Sequence, residues 1–135
     1  MKKYFYGIFM LSLLLACNAQ NSTKDAASAP AAEPQGIQDV DVAAFKAKMQ
    51  DENVVLLDVR TPEEVAAGKI EGALEIDVLA DDFEQKIQNL EKDKTYLVYC
   101  KAGSRSARAC KVMEKAGFQD LYNLKGGYTA WAGQQ

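Results

Sequence analysis

The residues best suited to chemistry lie in one short segment, Cys100-Lys101-Ala102-Gly103-Ser104-Arg105-Ser106. The segment follows an apolar run at 96–99 that is typical of a buried strand, and it precedes a helical pattern at 104–116. Its small residues allow a tight loop, in which successive backbone N–H groups can point towards one centre. The segment therefore predicts a cradle for an anion at the start of a helix.

Cys100 is the predicted nucleophile of this loop. The helix N-terminus and the cations Lys101, Arg105 and Arg108 should lower the pKa of its thiol, so that Cys100 is a thiolate at neutral pH. A thiolate held in this way can attack an electrophile and carry a group covalently. The alternative is an inert thiol at the end of a buried strand, but the cationic loop favours a reactive one.

The composition excludes several other kinds of function. The chain has 135 residues, a net charge of −3 and no histidine. Without histidine there is no Cys–His or Ser–His catalytic pair, and the commonest metal ligand is missing. Three cysteines, at positions 17, 100 and 110, are too few for a four-cysteine zinc site, so no metal is expected. The lack of a basic surplus argues against binding to nucleic acid.

The elements that must position the loop alternate between strands and helices. The predicted strands are at 37–38, 54–57, 74–76, 96–99 and 121–124, and the predicted helices are at 41–50, 62–67, 81–90 and 104–116. Such alternation predicts an α/β fold with a small, open, mostly parallel sheet of about five strands, flanked by helices on both faces. Ligands bind beyond the carboxyl ends of the strands in such sheets, which is where Cys100 lies.

One predicted helix has a well-marked start. Thr61 can cap it, Pro62 suits its first position, and Glu64 stands three residues after the cap.

The N-terminal segment has the features of a secretory signal peptide, because residues 1–16 contain two lysines followed by a short apolar stretch. The stretch is shorter than the roughly 20 residues of a membrane-spanning helix. Leu14-Leu15-Ala16-Cys17 resembles the lipobox of bacterial lipoproteins, which implies lipidation of Cys17. The alternative is ordinary cleavage nearby, which would leave Cys17 as a free thiol.

The chain is therefore predicted to have three parts. Residues 1–16 form the signal peptide, residues 17–36 hold the lipidated cysteine and a flexible tether, and residues 37–133 form the folded domain. The tether after Cys17 has no aromatic or branched aliphatic residue, so it cannot bury enough apolar surface to fold. We expect a monomeric domain in the cell envelope, which faces the periplasm or the exterior and contacts a membrane only through its lipid.

Four motifs follow one another within residues 37–133. They are Asp58-Val59-Arg60-Thr61-Pro62-Glu63-Glu64; Gly68-Lys69-Ile70-Glu71-Gly72-Ala73; the loop at 98–106; and Leu124-Lys125-Gly126-Gly127-Tyr128 with Ala130-Trp131. In this order they resemble the rhodanese domain in its single-domain sulfurtransferase form, with its D-V-R-x-x-x-E, G-H-I-P-G-A, cysteine-loop and L-x-G-G-x-x-A-W signatures. Lys69 and Glu71 stand where the family usually has His and Pro.

The resemblance implies a two-step sulfur transfer without a metal or an organic cofactor. Cys100 would take the sulfane sulfur of thiosulfate, or of a similar donor, as a persulfide. It would then pass that sulfur to cyanide or to a thiol, which a protein partner could also supply.

The resemblance also implies roles for the neighbours of Cys100. Arg105 would bind the anionic donor, Lys101 would attract anions, and the cradle would consist of the N–H groups of Lys101, Ala102, Gly103, Ser104 and Arg105. Asp58 and Arg60 would support the site from the end of the neighbouring strand. For Arg60, a structural ion pair with Glu64 across the start of the helix is favoured over contact with the substrate.

Three other functions compete with this interpretation. Related phosphatases place five residues between cysteine and arginine, whereas this chain has four, which favours sulfur over phosphate. The domain could instead be a non-catalytic module that docks partners or senses sulfide, or a persulfide carrier that serves one protein partner. A separate question is the role of Cys110. It shares an apolar helical stripe with Ala107 and Met113, which favours packing in the core over a role as a second thiol that reacts with Cys100.

Overall fold

The computed structural model describes residues 36–135, in which five strands form one sheet. The strands are β1 Gly36–Val40, β2 Val54–Asp58, β3 Leu74–Glu75, β4 Thr95–Tyr99 and β5 Asp120–Leu124. Their order across the sheet is β1-β5-β4-β2-β3, and every neighbouring pair is parallel. The predicted open parallel sheet is confirmed, and the edge strand predicted at 37–38 is longer than expected.

Helices cover both faces of the sheet, as predicted. Within residues 36–135 the helices are α1 Val42–Lys48, α2 Pro62–Ala66, α3 Phe83–Gln88, α4 Ser104–Lys115 and α5 Gly127–Ala132. Side chains of α3 and α4 belong to one buried apolar cluster, and side chains of α1 belong to the other, against which residues of α5 pack. Helix α5 was not predicted from the sequence.

The central strand β4 is buried on both faces, which explains the apolar run at 96–99. Tyr96 and Val98 point into the cluster with α3 and α4, whereas Leu97 and Tyr99 point into the cluster with α1. A parallel strand that is buried on both faces needs apolar residues at successive positions. The alternation continues to Cys100, which joins the first cluster and therefore lies against α4.

Helix α2 begins as the sequence predicts. The Thr61 hydroxyl accepts a hydrogen bond from the Glu64 N–H, and the Glu64 carboxylate accepts one from the Thr61 N–H. This reciprocal cap satisfies two N–H groups that the first turn of a helix leaves without partners. It also fixes Glu64 at the carboxyl end of the sheet.

Helix α5 lies against the backbone that follows β4. The N–H of Tyr128 donates to the carbonyl of Cys100 at 2.7 Å, and the N–H of Thr129 donates to the carbonyl of Lys101 at 3.0 Å. Gly127 has a φ of +57°, and a Cβ at this position would come within 2.5 Å of the Cys100 carbonyl oxygen. Only glycine allows this close approach.

The segment before Gly36 lies outside the described residues. The predicted signal peptide at 1–16, the lipidation site Cys17 and the tether up to residue 35 all fall there, whereas Gly36, the last residue of the predicted tether, begins β1. Among residues 36–135, no helix has the length and apolar character that crossing a membrane requires.

We predict that Gly127→Ala lowers the free energy of unfolding by about 2–4 kcal/mol, because the new Cβ meets backbone atoms and φ is left-handed. Gly133→Ala is the matched control, since Gly133 has a φ of −71° and room for a Cβ. It should change stability by less than about 0.5 kcal/mol. Urea denaturation followed by circular dichroism measures both, and equal effects would contradict the predicted role of Gly127.

Candidate active site

Cys100 directly follows β4 at the carboxyl end of the sheet, and only 1% of the residue is exposed. The N–H of Gly103 donates a hydrogen bond to its Sγ at 3.0 Å, and the hydroxyl of Ser106 lies 3.3 Å from the same atom. The sulfur therefore sits inside the turn that connects β4 to α4.

Two opposing effects set the pKa of the Cys100 thiol. Burial by itself raises this pKa, because it removes the thiolate from water. Hydrogen bonds from the Ser106 hydroxyl and from the N–H groups of Ser106, Gly103 and Ala102 outweigh burial, and the pKa is lower than that of an ordinary cysteine. The sequence predicted this direction and a contribution from backbone N–H groups, but it did not predict the hydrogen bond from the Ser106 hydroxyl.

Gly103 gives the loop its shape. Its φ is +104°, and a Cβ would lie 3.3 Å from both the Leu124 carbonyl oxygen and the Gly126 nitrogen. The left-handed conformation turns the Gly103 N–H back towards Cys100 Sγ. A residue with a side chain would be strained here and would crowd the end of β5.

A buried polar network holds Ser106 in place. The Ser106 hydroxyl lies 2.5 Å from Oδ1 of Asn123 and 3.1 Å from the Gly103 carbonyl oxygen. The Asn123 amide nitrogen donates to Asp39 at 2.8 Å and to the same carbonyl at 3.3 Å. Because the hydroxyl has a single proton, its rotation determines whether Cys100, Asn123 or the carbonyl receives it.

Sequence reasoning did not identify Ser106 as a side-chain donor, and it missed Asn123 altogether. The available signal was a polar residue inside the apolar strand at 121–124, because a buried amide requires hydrogen-bond partners.

The structure pairs Arg105 with Glu64. Two guanidinium nitrogens donate to the two carboxylate oxygens, each at 2.7 Å. The hydrogen bond from Arg105 is the main reason that the pKa of Glu64 falls to about 2. Arg105 also interacts electrostatically with Cys100 and Asp77, both of which raise its pKa further. The predicted anion-binding cation therefore lies near the nucleophile, but it already has a carboxylate partner.

The predicted ion pair between Arg60 and Glu64 is wrong. Arg60 instead pairs with Asp58, whose carboxylate accepts from Nε and from a terminal nitrogen at 2.7 Å. Sequence proximity suggested Glu64, but the side chains of Asp58 and Arg60 turn back into the fold, where they are 0% and 4% exposed. The prediction of a structural ion pair for Arg60 was correct, but its partner is Asp58 and not Glu64.

Tyr99 connects this buried pair to the turn that follows α2. Its hydroxyl donates to Asp58 at 2.6 Å and accepts from the N–H of Ile70 at 3.1 Å. Burial and the hydrogen bond to Asp58 raise the pKa of Tyr99, which keeps the hydroxyl protonated. Asp58 and Arg60 thus brace the ends of β2 and β4.

A cavity of about 220 Å³ lies beside the cysteine loop. Its lining includes Lys101, Arg60, Glu64 and Tyr128. The Arg60 guanidinium lies 4.3 Å from the centre of the Tyr128 ring, which forms one wall. Lys101 and Ala102 are exposed, so the loop is open to solvent on this side.

Cys110 is fully buried and unpaired, in keeping with the predicted core packing. Burial raises the pKa of its thiol to about 12. Within residues 36–135, the acidic and cysteine side chains form no group of three or more that could hold a metal ion.

Comparison with known proteins identifies the family. The profile of the rhodanese-like domain matches residues 41–134. A putative sulfurtransferase, YtwF, of Bacillus subtilis is 40% identical over 73% of this chain and 93% of its own length. A sulfurtransferase of Allochromatium vinosum is 33% identical, over 71% of this chain and 89% of its own length.

A solved structure agrees with these relatives. A rhodanese-like domain protein from Staphylococcus aureus is 32% identical, with a TM-score of 0.63 over 70% of this chain and 90% of its own. The chain therefore belongs to the rhodanese-like family, and its similarity to these relatives supports sulfur transfer as its general activity.

We predict that Ser106→Ala raises the pKa of Cys100, because burial then meets fewer opposing hydrogen bonds. The rate of Cys100 alkylation by iodoacetamide, followed by peptide mass spectrometry, should reach its midpoint at a higher pH than in the wild type. Ser104→Ala, in the exposed part of the same loop, should leave the midpoint unchanged. Identical midpoints for Ser106→Ala and the wild type would disprove the role of the hydroxyl.

Proposed function

We propose that this member of the rhodanese-like family moves a sulfane sulfur from thiosulfate, or from a donor of similar chemistry, to cyanide or a thiol through a persulfide on Cys100. One observation carries the proposal: Cys100 Sγ accepts hydrogen bonds inside a loop whose donors favour the thiolate despite burial. A thiolate is the form of cysteine that attacks sulfur.

In the first step, the Cys100 thiolate attacks the outer sulfur of thiosulfate. A bond forms between Sγ and that sulfur, the sulfur–sulfur bond of the donor breaks, and its electron pair leaves with sulfite. The charges balance, because the Cys100 thiolate and the thiosulfate dianion become a persulfide anion and the sulfite dianion. Since Cys100 is only 1% exposed, the donor has to present a narrow terminal atom, which a sulfane sulfur does.

In the second step, cyanide or a thiolate attacks the outer sulfur of the persulfide. The products are thiocyanate or a new persulfide, and the Cys100 thiolate is regenerated. The cavity of about 220 Å³ beside the loop gives an organic thiol a place to approach, and exposed Lys101 offers it a positive charge.

The loop has the same task in both steps, which is to stabilise a negative charge on sulfur. The N–H groups of Ala102, Gly103 and Ser106 and the Ser106 hydroxyl stabilise the thiolate. Preorganised donors of this kind need little rearrangement when the charge moves from one sulfur atom to the next. Arg105 lies close enough to Cys100 to interact with it electrostatically and adds a cation on the same side.

We further propose that the protein is a lipoprotein of the cell envelope, anchored through Cys17. The support is the sequence of residues 1–17, in which two lysines, an apolar stretch and Leu14-Leu15-Ala16-Cys17 follow in order. Acyl chains on one cysteine would hold the domain at a membrane surface, since each buried methylene contributes about 0.8 kcal/mol.

We predict a burst of sulfite when the protein is mixed with thiosulfate, in an amount equal to the protein, together with a mass increase of one sulfur atom on Cys100. Cys100→Ser should give neither signal. Cys110→Ala should keep both, because Cys110 is fully buried and its thiol stays protonated. Sulfite release by Cys100→Ser would refute the assignment of the nucleophile.

Mass spectrometry of the mature protein tests the anchor. We predict a chain that begins at Cys17 and carries acyl groups there, and that partitions with membranes. Cys17→Ala should accumulate as an unprocessed precursor. A mature chain with an unmodified Cys17, or one that begins elsewhere, would contradict the lipoprotein proposal.

A further inference from the structure

Arg105 interacts with three acidic groups. Glu64 binds its guanidinium at two points, and Asp77 and Cys100 are the other groups that raise its pKa by electrostatic interaction. Arg60, the other guanidinium beside the neighbouring cavity, is paired with Asp58. The two guanidinium charges near Cys100 are therefore balanced before the donor arrives, whereas exposed Lys101 adds a cation at the edge of the cavity.

Glu64 is held firmly in this position. Besides the two bonds from Arg105, its Oε2 lies 3.2 Å from both the N–H and the hydroxyl of Thr61. These contacts belong to the cap of α2, so moving the Glu64 side chain would also break hydrogen bonds at the start of that helix. Glu64 is therefore restrained close to the position that a donor would have to share with Arg105.

We propose that Glu64 is a specificity-determining residue, which neutralises Arg105 and thereby makes the site favour sulfane donors with a single negative charge over the dianion thiosulfate. The inference rests on the proposed function and specifies its donor class. A thiosulfonate, R–SO2–S⁻, is such a monoanion. Its outer sulfur bonds to the Cys100 thiolate, its sulfur–sulfur bond breaks, and the electron pair leaves with the sulfinate R–SO2⁻, so that atoms and charges balance.

The physical reason is that a Coulomb energy scales with the product of the charges. Glu64 accepts hydrogen bonds from two of the five N–H groups of Arg105. A donor oxygen that binds one of the remaining N–H groups is separated from the Glu64 carboxylate only by the width of the guanidinium group. Glu64 and Arg105 are only 27% and 26% exposed, which limits screening by solvent. Glu64 therefore repels a dianion about twice as strongly, in free energy, as a monoanion in the same place.

The test compares two donors that differ in charge but share the sulfane sulfur, namely thiosulfate and methanethiosulfonate. The measured quantity is the second-order rate constant for persulfide formation on Cys100, obtained from the release of sulfite or methanesulfinate. Glu64→Gln removes the charge, while its amide oxygen can still accept from the N–H of Thr61. We expect about a tenfold increase for thiosulfate and about a threefold increase for methanethiosulfonate, because the smaller factor is the square root of the larger.

Two further variants test whether the effect comes from the negative charge of Glu64 and from its location beside Arg105. Glu63→Gln removes an exposed carboxylate from the same helix and should leave the ratio of the two rate constants unchanged. Glu64→Asp keeps the charge but shortens the side chain, so it should retain most of the wild-type ratio even if both rates fall. Circular dichroism verifies that each variant is folded.

The outcomes distinguish the inference from the function on which it rests. A wild-type protein that forms no persulfide with either donor overturns the proposed function. An active wild type whose donor ratio is unchanged by Glu64→Gln overturns the inference alone. An equal loss of both rates in Glu64→Gln also overturns it, because Glu64 would then only hold Arg105 in place.

Discussion

The architecture of the site is built around hydrogen bonds that lower the pKa of one nearly buried thiol, that of Cys100. Burial opposes the thiolate of Cys100, and the surrounding hydrogen-bond donors reverse that effect. The donors converge because Gly103 takes a left-handed conformation and because α4 begins directly after it. Since these groups belong to the backbone and to a buried serine, the anion is stabilised by the fold itself.

The loop that supplies these donors is held from both faces of the sheet. On the α4 face, Ser106 and Asn123 both contact the Gly103 carbonyl oxygen. On the opposite side, the start of α5 donates to the carbonyls of Cys100 and Lys101. The carbonyls of Cys100, Lys101 and Gly103 are thus bound by the protein, and the N–H groups of Ala102, Gly103 and Ser106 interact with the sulfur.

Much of the fold could be predicted from the sequence, because local patterns decide it. Apolar runs identified the central strands, helical spacing identified α1, α3 and α4, and the Thr61 cap marked the start of α2. The cysteine loop was recognisable from its small and cationic residues. Helix α5 was missed because it is six residues long and begins at the second of two glycines, which are poor helix formers.

The contacts within the site were harder to predict, because they join distant segments. The pair between Arg105 and Glu64 spans 41 residues, and only the folded sheet brings these side chains together. Arg60 was assigned to the wrong carboxylate because separation along the chain does not show that its side chain is buried with Asp58. Asn123 acquires its role only from the register that places β5 beside β4.

The reactivity of Cys110 can be used to monitor whether the core of the domain is intact. In the described region the two thiols have opposite character, because the pKa of Cys100 is lowered by its hydrogen-bond donors whereas burial raises the pKa of Cys110 to about 12. A small alkylating reagent should therefore modify Cys100 before Cys110, and the extent of Cys100 modification measures the fraction of molecules whose loop is correctly formed. Slow labelling of Cys110 then reports the opening of the core between the sheet and α4, so one reagent distinguishes an intact site from a loosened fold.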